Sequence, residues 1–160
     1  MTLNANDSNK ITPEGLQKLQ EKLKNLEERF QETVKRRNVA REYGDLRENA
    51  EYSMAIEEIQ QLNKLIQDIQ VKLENVQVIK NVVVDKQVVF GSTVTLEELT
   101  SKAKKKYQIV GDDEASIEDG KLSEKSEFAK TLLGKFKGET FCFSKINNIK
   151  KYKILDVKGY

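Results

Sequence analysis

Apolar residues fall at Leu16, Leu19, Leu23, Leu26, Phe30 and Val34, three and four positions apart. That spacing lines them up along one stripe of a helix. A second stripe runs through Ile59, Leu62, Ile66, Ile69, Leu73 and Val76 with the same alternation. Thr12-Pro13-Glu14 supplies a start signal: Thr12 can cap, and Pro13 has the backbone angle of a first helical residue. Between the stripes stands one breaker, Tyr43-Gly44-Asp45. Gly44 can end a helix in the left-handed conformation, and Asp45 can cap the next one. The pattern predicts two helices over 13–76, each of about 30 residues and so about 45 Å long, folded back as an antiparallel pair. One narrow seam per helix suits a two-helix rod. A bundle needs a wider apolar face, and a long parallel dimer needs a helix that runs through Gly44, which costs about 1 kcal/mol.

From about residue 80 the period changes. Val82–Val84, Gln87–Phe90, Thr93–Leu96, Tyr107–Val110, Thr140–Phe143 and Tyr152–Val157 are rich in β-branched and aromatic residues and are separated by glycines. Ser126–Leu133 is the one short helical segment here, capped by Ser126 and stopped by Gly134. The fold class expected is α+β: an N-terminal coiled-coil hairpin over residues 1–80 and a globular domain with an antiparallel or mixed sheet over 81–160.

Composition narrows the function. Charged residues are 34% of the chain and hydrophobic ones 38%, which suits an elongated solvated element beside a small core. The first 78 residues carry 12 basic and 14 acidic side chains, the remainder 16 and 12, so net charge alone does not announce a nucleic-acid binder. No histidine is present, which removes the commonest general base and transition-metal ligand. Cys142, the single cysteine, lies between Phe141 and Phe143 and is expected to be a buried, inert thiol. No run is apolar enough to span a bilayer, and a cytoplasmic protein is expected.

Chemistry concentrates at the predicted turn. Glu42, Asp45, Glu48 and Glu51 lie within ten residues. At a helix start Asp45 and Glu48 would stand about 5–6 Å apart on one side, where their oxygens can share a hard cation. Mg²⁺ takes only one or two protein carboxylates beside water and phosphate, so such a pair is half a site that another macromolecule can complete. The same residues also match a capping box, and both readings stay open. Lys35-Arg36-Arg37 and Arg41 form a basic stretch within about 15 Å of this turn by helix rise. In the second half, Lys104–Lys106 just precede a strand and can form a hairpin-tip patch for weak DNA or RNA contact.

Several of these stretches resemble the Gre family of bacterial transcript-cleavage factors. Ile11–Leu16 is similar to the family's opening and Ala40–Tyr52 to its hairpin tip; Val89–Leu96 and Tyr107–Ala115 are similar to its C-terminal domain. The resemblance runs from about residue 11 to 158. It implies an antiparallel coiled coil followed by an FKBP-like domain without isomerase activity. It also implies insertion of the hairpin into the secondary channel of RNA polymerase, with the globular domain docked at the rim. Asp45 and Glu48 then match the tip acids that help hold the second catalytic Mg²⁺ and the attacking water, with Glu51 behind them. The metal is held mainly by the polymerase, none is expected on the free protein, and the polymerase, not this chain, cuts the backtracked RNA. Arg41 matches a basic position near the RNA 3′ end, and Arg37 is taken with it. Two departures stand out: Ile56 occupies a position where family members often carry a second arginine, and Lys125–Ala129 differs from the usual Ser-Pro-Ile-Ala. A channel-blocking inhibitor of the same fold without cleavage activity is the alternative, and a plain coiled-coil adaptor is a third reading.

Overall fold

A computed structural model of the chain describes residues 9–43, 49–80, 85–145 and 148–159. They form two compact units, Leu16–Val76 and, as the other, Met1–Gly15 with Gln77–Tyr160.

The first unit is a pair of long helices, α1 (Pro13–Glu42) and α2 (Ala50–Asn75). As residue numbers rise on α1 they fall on α2: the Arg29 guanidinium reaches Glu58, and the Ala40 carbonyl meets Asn49. The helices are therefore antiparallel, as the heptad stripes predict. Leu62 and Ile69 are buried on α2, each worth roughly 1.5–3 kcal/mol of apolar burial. Towards the turn the buried positions become small: Thr33 and Ala40 on α1, Ala55 on α2. Thr33 bends its hydroxyl back to the Arg29 carbonyl at 2.9 Å, so a polar residue in the seam stays satisfied. Val76, expected as the last member of the second stripe, instead leaves the helix in an extended conformation.

In the second unit, β1 (Asn9–Ile11) pairs with β2 (Val76–Val78) in a small sheet of its own. The main sheet holds β3 (Thr93–Glu98), β4 (Lys104–Val110), β5 (Lys121–Ser123), β6 (Thr140–Lys145) and β7 (Asn148–Lys158) in the order β5-β4-β3-β7-β6. β4 and β5 are parallel and the other pairs antiparallel, so the sheet is mixed. The helix α3 (Glu127–Leu132) starts where predicted, with the Ser126 hydroxyl accepting from the Ala129 amide at 3.2 Å. Ala129 and Leu132 of α3 join Val94, Leu96, Ile109, Ile154 and Val157 in the core. Around them Phe128 gathers Tyr107, Phe141, Phe143 and Tyr152 at ring separations of 4.8–6.0 Å.

Three expectations change, and a fourth lies outside the described residues. Residues 9–15 group with the sheet unit and not with the hairpin, unlike the expected division at residue 80. The reason is that β1 pairs with β2 and that two carboxylates hold Lys10 and Thr12. Glu114 accepts the Thr12 amide at 2.8 Å and its hydroxyl at 2.5 Å, and Lys10 pairs with Glu124 at 2.8 Å. Gln87–Phe90 is no strand: Gln87 makes one isolated bridge to Phe136, and Phe90–Gly91 turns. Val82–Val84 lie outside the described residues. Cys142 is exposed. Strand side chains alternate, so burial of Phe141 and packing of Phe143 onto the core send Cys142 to the opposite face.

Gly111 shows how close this packing is. A Cβ there would lie 2.0 Å from the Lys10 carbonyl oxygen, which is backbone of β1 and cannot swing aside. Gly111→Ala should therefore cost about 1–3 kcal/mol by forcing the two segments apart. Chemical or thermal denaturation measures it, and an unchanged midpoint would mean that β1 does not sit against this loop.

Candidate functional site

The hairpin turn is built from its two helix ends. α1 closes with Arg41, Glu42 and Tyr43, all exposed, and the Tyr43 amide donates to the Ala40 carbonyl at 3.3 Å. α2 opens at Ala50, and its cap is Asn49, not Asp45. The Asn49 side-chain oxygen accepts the Tyr52 amide at 3.0 Å, while its amide nitrogen donates to the Ala40 carbonyl at 2.7 Å. One side chain thus caps α2 and ties it to the last turn of α1. A cap of this kind is worth about 1 kcal/mol. Gly44, Asp45, Leu46, Arg47 and Glu48 lie outside the described residues, so the expected Gly44 break, the Asp45 cap and the Asp45–Glu48 pair all fall there. The two ends of that segment, Tyr43 and Asn49, are both held to Ala40.

Of the remaining acids, Glu51 is exposed in the first turn of α2, where a carboxylate suits the helix dipole. Glu58, which sequence reading passed over, does a different job. Its carboxylate receives Arg29 at 2.6 Å and also takes the Arg36 guanidinium. Hydrogen bonds from Arg29 and Arg36 hold the Glu58 carboxyl below its ordinary range. The basic stretch therefore divides. Arg36 bridges the two helices, and Arg37 hydrogen-bonds the neighbouring Asn38 side chain at 2.7 Å. Arg41 is exposed. The pattern to notice in the sequence was an acid on the second stripe's flank with arginines seven apart on the first. Among the described residues no group of three or more acidic, histidine or cysteine side chains is placed to hold a metal ion, and none of the described helices is long and apolar enough to cross a membrane.

A wide concavity of about 820 Å³ lies between α3 and the adjoining strands of the sheet unit. Tyr107, Phe128, Phe143 and Tyr152 form its floor, and Ile117, 86% exposed, stands at its edge.

Residues 9–78 match the family model described as "Transcription elongation factor, N-terminal", and residues 83–159 match "Transcription elongation factor, GreA/GreB, C-term". The chain belongs to the GreA/GreB family of transcription elongation factors. The transcription elongation factor GreA of Alkalilimnicola ehrlichii is 39% identical over 156 residues, covering 92% of this chain and 96% of its own. The GreA of Wigglesworthia glossinidia brevipalpis is 39% identical over 150 residues, covering 92% and 95%. A solved structure, the GreA factor homolog 1 of Thermus thermophilus, is 23% identical, covers 95% of this chain and 99% of its own, and has a TM-score of 0.44. The family assignment stands on the sequence matches.

Within this Gre chain, Ile56 is half-buried beside the fully buried Ala55. The Glu58 bridges have a pH signature. The folded carboxyl titrates below its unfolded value of about 4.3, so its contribution is fully present above that value and is lost as pH falls through the folded pKa. Glu58→Gln should melt below the wild type at neutral pH, and the gap should close on acidification. A gap that stays constant down to strongly acid pH would show that the charge on Glu58 is not what joins the helices.

Proposed function

We propose that this chain acts on bacterial RNA polymerase, inserting its hairpin into the secondary channel and stimulating cleavage of backtracked RNA so that arrested elongation resumes. The observation that carries the reading is Asn49. It ties the start of α2 to the Ala40 carbonyl at the end of α1, so the two helix ends that flank Asp45 and Glu48 in sequence are held together. The donor chemistry fits a hard cation: carboxylate oxygens, with no imidazole anywhere in the chain. Asp45 and Glu48 would contribute ligands to a Mg²⁺ held mainly by the polymerase, with Glu51 behind them; bound there, the ion activates water and steadies the leaving oxygen of the phosphodiester. The phosphodiester is cut by the polymerase, and this chain supplies ligands and position. Arg41, exposed one turn before the break, faces the phosphates of the RNA 3′ end, with Arg37 behind it. The aromatic concavity beside α3 serves as the docking surface against the polymerase rim.

The rival reading, a channel blocker without cleavage activity, needs no acids at the turn, and Asp45 and Glu48 favour the activator. Asp45→Asn separates the two. An amide of almost the same size is a far poorer ligand for Mg²⁺, so cleavage of a stalled elongation complex should fall by roughly 100-fold or more, the scale of losing a group that acts in the transition state. Competition binding to polymerase should stay within about twofold, because a lost kilocalorie would already show as a larger change. Cleavage at the wild-type rate by the variant would sink the tip mechanism.

A further inference from the structure

We infer that the open face of the main sheet is a sequence-independent docking surface for the phosphate backbone of duplex DNA. This surface is distinct from the hairpin turn, and its role does not depend on RNA cleavage.

Strand alternation sorts the lysines of the second unit. On β4, Tyr107 and Ile109 point into the core, so Lys104 and Lys106 stand on the opposite face. On β7, Tyr152 and Ile154 point inward, which puts Lys151 and Lys153 on that same open face. Lys158 follows there, beyond the bulge between Thr95 and Leu96 that resets the register. All five are exposed, and among the described residues none of them is in an ion pair. The inward-facing Lys150, by contrast, pairs with Glu98 at 3.1 Å. The acids on the open face are Glu97, opposite both Lys104 and Lys153, and Asp156, which Lys137 already engages at 3.2 Å. The face therefore carries an uncompensated positive charge.

Its chemistry selects the occupant. Positions two apart on a strand lie about 7 Å apart, and β4 and β7, separated by β3, lie about 9.5 Å apart. Charge is spread over an area and not along a line, which suits a wide rod better than one extended acidic peptide. The sheet's aromatic residues are gathered around Phe128 on the other face, so the open face lacks the rings on which single-stranded bases stack. All five arginines of the chain precede residue 48. Lysine alone contacts phosphate as a point charge, without the bidentate fork that reads guanine, so binding here is blind to sequence.

The test uses the full chain and a labelled random-sequence DNA duplex, followed by fluorescence anisotropy across a salt series. Each phosphate contact adds about −0.9 to the log–log slope. Replacing Lys104, Lys106 and Lys153 together by Gln should flatten the slope by up to about 2.7 and weaken binding at least tenfold near 0.1 M salt. Lys151→Gln with Lys158→Gln should flatten it in the same direction, which covers the case in which the triple variant misfolds. Lys22→Gln with Lys64→Gln, on the hairpin, should leave it unchanged. Wild-type protein that ignores the duplex, or open-face variants that keep the wild-type slope, would overturn the proposal. So would equal displacement of the duplex by single-stranded RNA or by polyglutamate at matched charge.

Discussion

Asn49 closes the hairpin with a single side chain, its oxygen capping α2 and its nitrogen holding the Ala40 carbonyl at the end of α1. The importance of this pair comes from how small the buried side chains beside these helix ends are. Each helix buries only a narrow stripe, and near the turn that stripe has shrunk to Thr33, Ala40 and Ala55. Alanines let two helices approach but supply little apolar area. Directional bonds must then set where one helix ends against the other. Glu58 adds a second fixed point two turns further along, joining Arg29 and Arg36 of α1 to α2. Exposed pairs of this kind contribute modestly to stability, but they bias register.

The same economy appears where the chain enters the sheet unit. Thr12 caps α1 with its hydroxyl, which accepts the Gly15 amide at 3.0 Å, and gives its own amide and hydroxyl protons to Glu114. Thr12 is almost wholly buried, so these bonds satisfy a polar group that burial would otherwise penalise. Lys10 pairs with Glu124 and lies 5.7 Å from the Phe90 ring, which adds a cation–π contact. Residues 9–12 are thus a working part of the second unit, although they are distant from it in sequence.

The hairpin was legible because its signal is periodic: a run of apolar residues three and four apart has one economical structure. The strands β3, β4, β6 and β7 were legible from β-branched and aromatic runs between glycines, and α3 from Ser126. Three kinds of feature escaped. β1 and β5 are three residues each and owe their form to partners far along the chain. The Asn49 cap competed with an equally good candidate, Asp45, four residues earlier, and helix boundaries are decided by such local contests. Cys142 looked buried because its neighbours are aromatic, but the two-residue period of a strand sends neighbours to opposite faces. Asp45 and Glu48 were singled out by a resemblance to the family's tip, while the spacing itself fits a capping box as well as a ligand pair.

The chemistry proposed for this chain turns on ligands that are incomplete until a second macromolecule completes them. On this proposal the Asp45 and Glu48 carboxylates add affinity for Mg²⁺ where polymerase already supplies part of the shell, and little where it does not. The most direct measurement is the Mg²⁺ dependence of RNA cleavage in a stalled elongation complex, with and without this chain. If the turn lends ligands to the ion, the wild-type chain lowers the Mg²⁺ concentration needed for half-maximal cleavage, and Asp45→Asn removes the shift. A chain that raised the rate at saturating Mg²⁺ while leaving that concentration unchanged would contradict ligand lending.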